Sequence, residues 1–282
     1  IAGEINMVNN KSEKGHIYLI DGSGFIFRAY HALPPMTSPD GTPVNAVYGF
    51  SNMLLKLIQD MDDVDKPTHA AVILDRSRKT FRNDIYPKYK AHRPPAPEDL
   101  VPQFPIIREA TEAFNVHCID MEGFEADDII ATYARNAQEE GFKVTIVSSD
   151  KDLMQLVGDG IVMFDSMKNR TIGVEEVKEK FGLGPEKVIE IQALAGDSAD
   201  NVPGVPGIGV KTAALLLEEF GDLESLLRRA GEIKQNKRRE NLIEFADLAR
   251  VSKELVTLKT DIEGLLPFKS LVVNAINSEK IL

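Results

Sequence analysis

The sequence predicts an α/β fold: a mostly parallel central sheet flanked by helices, followed by a C-terminal helical subdomain. Two observations carry this expectation. Up to about residue 180, short apolar β-type runs alternate with helical periodicities, the pattern of strands joined by crossover helices. Beyond that point strand signals stop and one helical pattern follows another. The composition agrees. With 43% apolar and 27% charged residues in 282, the chain is neither disordered nor fibrous and has room for one large or two modest domains.

Residues 1–16 are expected to be a disordered tail or an expression remnant, with Met7 as the natural start. Strands are predicted at 17–20, 70–74, 116–119, 144–147 and 161–164, all short apolar blocks. Helical periodicity lies between them near 44–61, 100–114, 126–140 and 151–157. The stretch 76–97 breaks the rhythm: it is basic, holds Tyr86 and Tyr89, and ends in Pro94, Pro95 and Pro97. It reads as a mobile excursion from the sheet. Helices are then predicted at 185–195, 210–220, 223–230 and 239–255. Pro267 and a new apolar pattern at Leu271, Val272 and Val273 mark 263–282 as a linker toward a further domain.

Several function classes fall away on composition. The single Cys118 excludes an intramolecular disulfide and a cysteine-based zinc site, and suits a reducing compartment. No apolar run approaches the roughly 18 residues of a membrane helix, and the first fifteen residues are too polar for a signal peptide. The net charge of −11 argues against a polyanionic partner only until its distribution is read. Arg76 to Arg93 carries seven basic residues against Asp84, and Arg228 to Arg239 carries six against Glu232. Such runs are commonly solvated faces, but they also bind phosphate backbones.

The acids fall in a pattern of their own. Asp21, Asp75 and Asp150 each stand just beyond a predicted strand, on the carboxyl edge where open α/β sheets place ligands. Glu125, Asp127 and Asp128 open the helix at 126–140, Asp152 follows Asp150 by two, and Asp197 and Asp200 are three apart. Singly, acids in a first helical turn complement the helix dipole. Together, nine carboxylates gathered in one pocket repel one another, and divalent cations are the economical remedy. Without these nine, the net charge would be −2. Hard oxygen donors with no His or Cys cluster favour Mg²⁺ or Mn²⁺ over zinc, and His16, His31, His69, His92 and His117 are scattered. Paired metals beside cationic segments suit phosphodiester hydrolysis. A dehalogenase-type phosphatase is excluded because Ser23 stands where its second Asp is required. A P-loop fails by one residue: Gly204 and Gly209 are correctly spaced, but Val210 precedes Lys211 and Thr212. The run from Pro203 to Ala213, with Gly204, Gly207 and Gly209, instead matches a helix-hairpin-helix that brings backbone N–H groups to a duplex phosphate.

Five motifs in order carry a resemblance: Asp21-Gly-Ser with Arg28-Ala-Tyr-His31; Tyr89-Lys90 with Arg93; Glu125-Ala-Asp127-Asp128; Ser149-Asp150-Lys151-Asp152; and Gly196-Asp197 through Asp200-Asn201 to Gly204. Over about 17–261 the chain resembles the flap endonuclease family, in its branch of 5′-nuclease (5′→3′ exonuclease) domains at the N-terminus of bacterial DNA polymerases I. The resemblance implies a PIN-like or resolvase-like nuclease core over 17–180, including a basic helical arch at about 76–97. A helical DNA-binding subdomain over 181–262 and polymerase domains beyond it are also implied. It implies Asp21, Asp75, Glu125, Asp127, Asp128 and Asp150 around an inner metal region and Asp152, Asp197 and Asp200 in an outer one, for two or more Mg²⁺ or Mn²⁺ ions. Lys90 and Arg93 then meet the scissile phosphate, making Lys90, Arg93, Asp21, Asp128 and Asp150 the expected catalytic set. Arg28, Arg82 and Tyr89 join them in holding DNA. Gly204, Gly207, Gly209, Lys211 and Thr212 hold the duplex, with K⁺ on backbone carbonyls. The implied activity is removal of flaps and RNA primers in replication and repair, leaving 5′-phosphate and 3′-hydroxyl ends. The implied setting is a cytoplasmic, nucleoid-associated monomer without membrane contact, whose partners are flapped, nicked or gapped DNA and RNA primers on DNA. The alternative is a relative that binds branched DNA without cutting it.

Overall fold

The computed structural model describes residues 14–64 and 66–274. Six strands form one sheet in the order β3-β2-β1-β4-β5-β6. They are β1 His16–Asp21, β2 His69–Ile73, β3 His117–Ile119, β4 Lys143–Val147, β5 Ile161–Asp165 and β6 Arg170–Ile172. All pairs are parallel except β5 with β6, a short antiparallel edge that the sequence pattern did not reveal.

Side chains alternate across the sheet, so the two faces build two cores. Ile17 and Leu19 face a layer that includes α5 (Ala126–Glu139), while Ile20 faces α1 (Gly22–Ala32), α2 (Asn45–Val64) and α4 (Gln103–Ala113). Helix α3 (Phe81–Ile85) lies in the basic segment. The first core continues without interruption into the helices α6 (Val174–Phe181), α7 (Val188–Ala195), α8 (Val210–Phe220) and α9 (Leu223–Arg228). The chain then forms α10 (Asn236–Glu244) and α11 (Ala246–Val256), which replace the single helix expected at 239–255 and are divided at Phe245. The expected helix at 151–157 is a 3-10 turn, Asp152–Leu156.

Helix α1 was not anticipated, because glycines at its start mask the helical signal. Gly22 has a packing reason: a Cβ there would lie 2.5 Å from Leu74 and 2.6 Å from Val72. No helix among the described residues is long and apolar enough to cross a membrane.

The C-terminal segment departs from the linker expectation as far as it is described; residues 275–282 lie outside the described part. Phe268 and Leu271 are buried. The Ala70 N–H donates to the Leu271 carbonyl at 2.9 Å, and the Val273 N–H donates to Thr68 at 3.0 Å. Leu271→Ala is therefore expected to destabilise the fold by about 2–5 kcal/mol, as buried leucine truncations do. Urea unfolding measures this; a true linker would show no shift.

Candidate active site

The parallel register aligns the strand ends. Asp21 closes β1 opposite Ile73 of β2, with Asp75 two residues further on, and Ile20 pairs with Val147 of β4, three residues before Asp150. Three adjacent strands thus deliver Asp21, Asp75 and Asp150 to one edge, about 5 Å apart across the sheet. Asp21 caps α1, accepting from the Gly24 N–H at 3.0 Å and the Ser148 hydroxyl at 2.9 Å. Asp75 accepts from the Ala126 N–H at 2.8 Å, which sets the N-terminus of α5 and its acids against β2. The Asp152 N–H donates to Asp150 at 3.0 Å, and the Gln192 amide donates to the Asp152 carboxylate.

The nine acids divide into two classes. Four are held by cations: Glu125 by Lys90 at 2.9 Å, Asp128 by Arg82 at 2.6 Å, Asp197 by Lys151 at 2.6 Å, and Asp200 by Arg93 and by Lys90 at 3.5 Å. Asp21, Asp75, Asp127, Asp150 and Asp152 make no ion pair among the described residues. Electrostatics follows this division. Burial, then the fields of Asp75 and Asp150, push Asp21 up to about 6 against the bonds from Gly24 and Ser148. Burial and Asp150 push Asp152 up to about 7. Burial, then Asp150 and Asp21, raise Asp127 well above the carboxylate range. Lys90 behaves oppositely: burial disfavours its charge, but Glu125, Tyr89 and Asp200 overcome that and raise its pKa.

Two cavities adjoin this edge. One, about 390 Å³, is lined by Asp21, Arg28, Ser148, Asp150, Asp152 and Arg93, among others. The other, about 1100 Å³, lies against the basic segment and α4, with Asp75, Lys90, Arg93 and Glu125 in its wall. Arg93 lines both. The basic segment is not a loose excursion at its root. The Lys90 N–H donates to the Asp200 carbonyl at 2.9 Å, the Asn201 amide to the Lys88 carbonyl at 2.7 Å, and the Tyr89 hydroxyl to Glu125 at 3.2 Å.

Three of the expected site residues lie in the interior. Arg82, expected to touch DNA, is 1% exposed. Its Nη atoms donate to both Asp128 oxygens at 2.6 and 2.8 Å, and its Nε donates to the Leu255 carbonyl at 2.7 Å. Asp128, expected among metal ligands and catalytic acids, is fully buried and also accepts from the Lys259 N–H at 2.9 Å. Gly204, expected at the duplex, is buried: its φ is +59, and a Cβ there would lie 2.4 Å from the Gly196 nitrogen. Tyr89 is also buried. Gly207, Gly209 and Lys211 are exposed, and Thr212 is half-buried. Sequence reasoning gave no role to Ser148, Gln192 and Lys180, and quoted Lys151 only within the motif Ser149-Asp150-Lys151-Asp152; all four are partners or neighbours of the acids.

No group of three or more His, Cys, Asp or Glu among the described residues is arranged as a ready-made metal cage. The donors nevertheless fit a hard divalent cation in chemistry and charge. They are carboxylate oxygens alone, and three of them carry a raised pKa that an adjacent cation would reverse.

Family models match the entire core: "5′-3′ exonuclease, N-terminal resolvase-like domain" over residues 16–182 and "5′-3′ exonuclease, C-terminal SAM fold" over 183–279. DNA polymerase I of Rhizobium leguminosarum is 57% identical over 286 residues, 100% of this chain and 28% of that protein. The chain thus spans less than a third of this relative's length. A 5′-3′ exonuclease of Aquifex aeolicus is 38% identical over 88% of this chain and 83% of its own. Among solved structures, bacteriophage T5 5′-exonuclease with bound zinc aligns with a TM-score of 0.73 at 24% identity, covering 87% of this chain and 90% of its own. The catalytic core of Rad2 with a DNA substrate aligns at 0.60 and 14% identity, covering 95% and 86%. These two likenesses bear on the fold.

Two predictions follow from the charges. The ordinary aspartate value is 3.8, and Asp21 and Asp152 lie near 6 and 7 in the folded chain. The folded state therefore binds more protons than the unfolded one across that window, and in EDTA its stability should fall as pH rises from about 4 to 7. Asp152→Asn should flatten the fall, measured as the urea midpoint against pH. Arg82→Met should cost about 3–5 kcal/mol by leaving Asp128 buried and unpaired; an unchanged urea midpoint would refute the ion-pair role.

Proposed function

Because the chain belongs to the 5′-3′ exonuclease family over both of its halves, we propose that it is a structure-specific 5′ nuclease. Its substrate would be phosphodiesters near 5′ ends of flapped, nicked or gapped DNA, including RNA primers on DNA. The products would be 5′-phosphates and 3′-hydroxyls. One observation carries the reading beyond membership: five carboxylates without ion-pair partners share the sheet edge with Arg28, Lys90 and Arg93. A protein that only bound branched DNA would gain nothing from carboxylates that repel both one another and the phosphates.

Asp21, Asp127, Asp150 and Asp152, with Asp75, would hold the divalent ions, which we take to be Mg²⁺ or Mn²⁺. Bound there, such ions supply a water of lowered pKa and offset charge on the phosphate in flight. The chain's own residues do the rest. Lys90 is kept protonated by Glu125 and Asp200 and stands where its ammonium would meet the phosphate. Arg93, exposed at the junction of the two cavities, and Arg28 orient the same group from either side. Gln192 and Ser148 fix the rotamers of Asp152 and Asp21. The exposed turn at Gly207 and Gly209 leaves backbone open to a duplex phosphate, with K⁺ a candidate ion on its carbonyls. A monomer with polymerase domains in the natural protein completes the proposal.

Cleavage of a 5′-labelled flap with Mg²⁺ tests the reading. Wild type should cut and release a 5′-phosphorylated product. Asp150→Asn should reduce cutting to background while binding persists. Robust cutting in EDTA, or by the variant, would overturn it.

A further inference from the structure

Four cations line the smaller cavity: Arg28, Arg93, Lys151 and Lys180. Two of them are spoken for, Arg93 by Asp200 and Lys151 by Asp197. Arg28 and Lys180 make no ion pair among the described residues, and the proposed mechanism leaves Lys180 unused. They enter from opposite flanks. Arg28 lies on α1, directly after β1, whereas Lys180 lies in the last turn of α6, directly after edge strand β6. In the sheet order β1-β4-β5-β6, β4, the strand that leads to Asp150, stands between β1 and β6. From β1 to β5 alone is two strand spacings, about 10 Å, longer than one phosphate group.

Lys180 is solvent-exposed, but it differs from its helical neighbour in lining the acid cavity without an ion-pair partner among the described residues. Lys178, on the same helix, pairs with Glu175 at 2.9 Å. Lys180 instead turns to the cavity, where burial, then Lys151 and Lys168, push its pKa below the usual lysine range, partly opposed by Asp150 and Asp152. An ammonium in that setting lacks an anion, and Asp150 and Asp152 do not reach it.

We propose that Lys180 binds a second backbone phosphate of the strand being cut, across the acid edge from Arg28. The ligand class is a phosphodiester of nucleic acid, and the inference rests on the nuclease reading above. With two phosphates gripped on either side of the carboxylates, the bond between them is held along the edge.

The test uses the Asp150→Asn background with Mg²⁺, so that flap DNA stays intact, and follows binding by fluorescence anisotropy against NaCl concentration. Adding Lys180→Ala should lower the slope of log K against log salt by about 0.7, and so weaken binding about 5-fold at 0.1 M salt. Lys180→Arg should restore both. Neutral methylphosphonates placed singly along the strand should then locate the contact. At one position the substitution should weaken the Lys180 protein as much as Lys180→Ala does, and should add nothing in the alanine variant. An unchanged slope, or additivity at every position, would overturn the inference. If wild type cuts flaps normally in those cases, only this contact fails; if wild type does not cut with Mg²⁺, the nuclease reading itself fails.

Discussion

The buried guanidinium of Arg82 joins three parts of the chain that are far apart in sequence. It belongs to α3 at the root of the basic segment, bonds Asp128 in the first turn of α5, and donates to the carbonyls of Leu255 and Thr257 at the C-terminal end of α11. Asp128 in turn accepts from the Glu125 and Lys259 N–H groups. Removing two charges from water carries a large desolvation penalty, offset only where geometry is good and the remaining donors and acceptors are filled. Here nearly every one is filled, and the Arg82 face also lies over Phe81 at 4.6 Å. Because of that node, Tyr89 and Lys90 stand over Glu125 instead of swinging free.

With Arg82 and Asp128 withdrawn into the interior, the remaining charges sort by neighbourhood. Glu125, Asp197 and Asp200 are screened by lysines and an arginine, while burial and the unpaired neighbours, Asp150 among them, raise the pKa values of Asp21, Asp127 and Asp152. The unscreened group is the strained part of the molecule, in electrostatic rather than conformational terms. Strain of that kind persists where function requires it. The paired group has a different effect: each carboxylate holds a cation close to the edge.

The contacts between residues 88–93 and 199–201 close the basic segment onto the C-terminal helices. Backbone bonds set its position, and Arg93 reaches across to Asp200 and Ala199. The two cavities consequently meet at a single side chain. The passage between them is therefore set by Arg93 and by its pairing with Asp200.

How much of this was legible in the sequence depends on whether a local rule or a distant partner decided it. Alternating apolar blocks located five strands, because burial on both faces of a parallel sheet demands them. Strand ends then placed Asp21, Asp75 and Asp150 on one edge, since parallel register puts every carboxyl end on the same side. The short β6 and the glycine-led α1 carried too little pattern to be seen. The burial of Arg82, Asp128 and Gly204 was beyond local reading: a basic residue in a basic run, an acid in a helical first turn and a glycine in a glycine-rich turn look exposed. Their burial depends on Leu255, Lys259 and Gly196, partners up to 173 residues away. By itself the sequence determined which chemistry gathers at the edge, because residue type and strand period suffice for that. Only the tertiary structure decided which charges face the ligand and which neutralise one another inside, because desolvation and pairing are properties of neighbours in space.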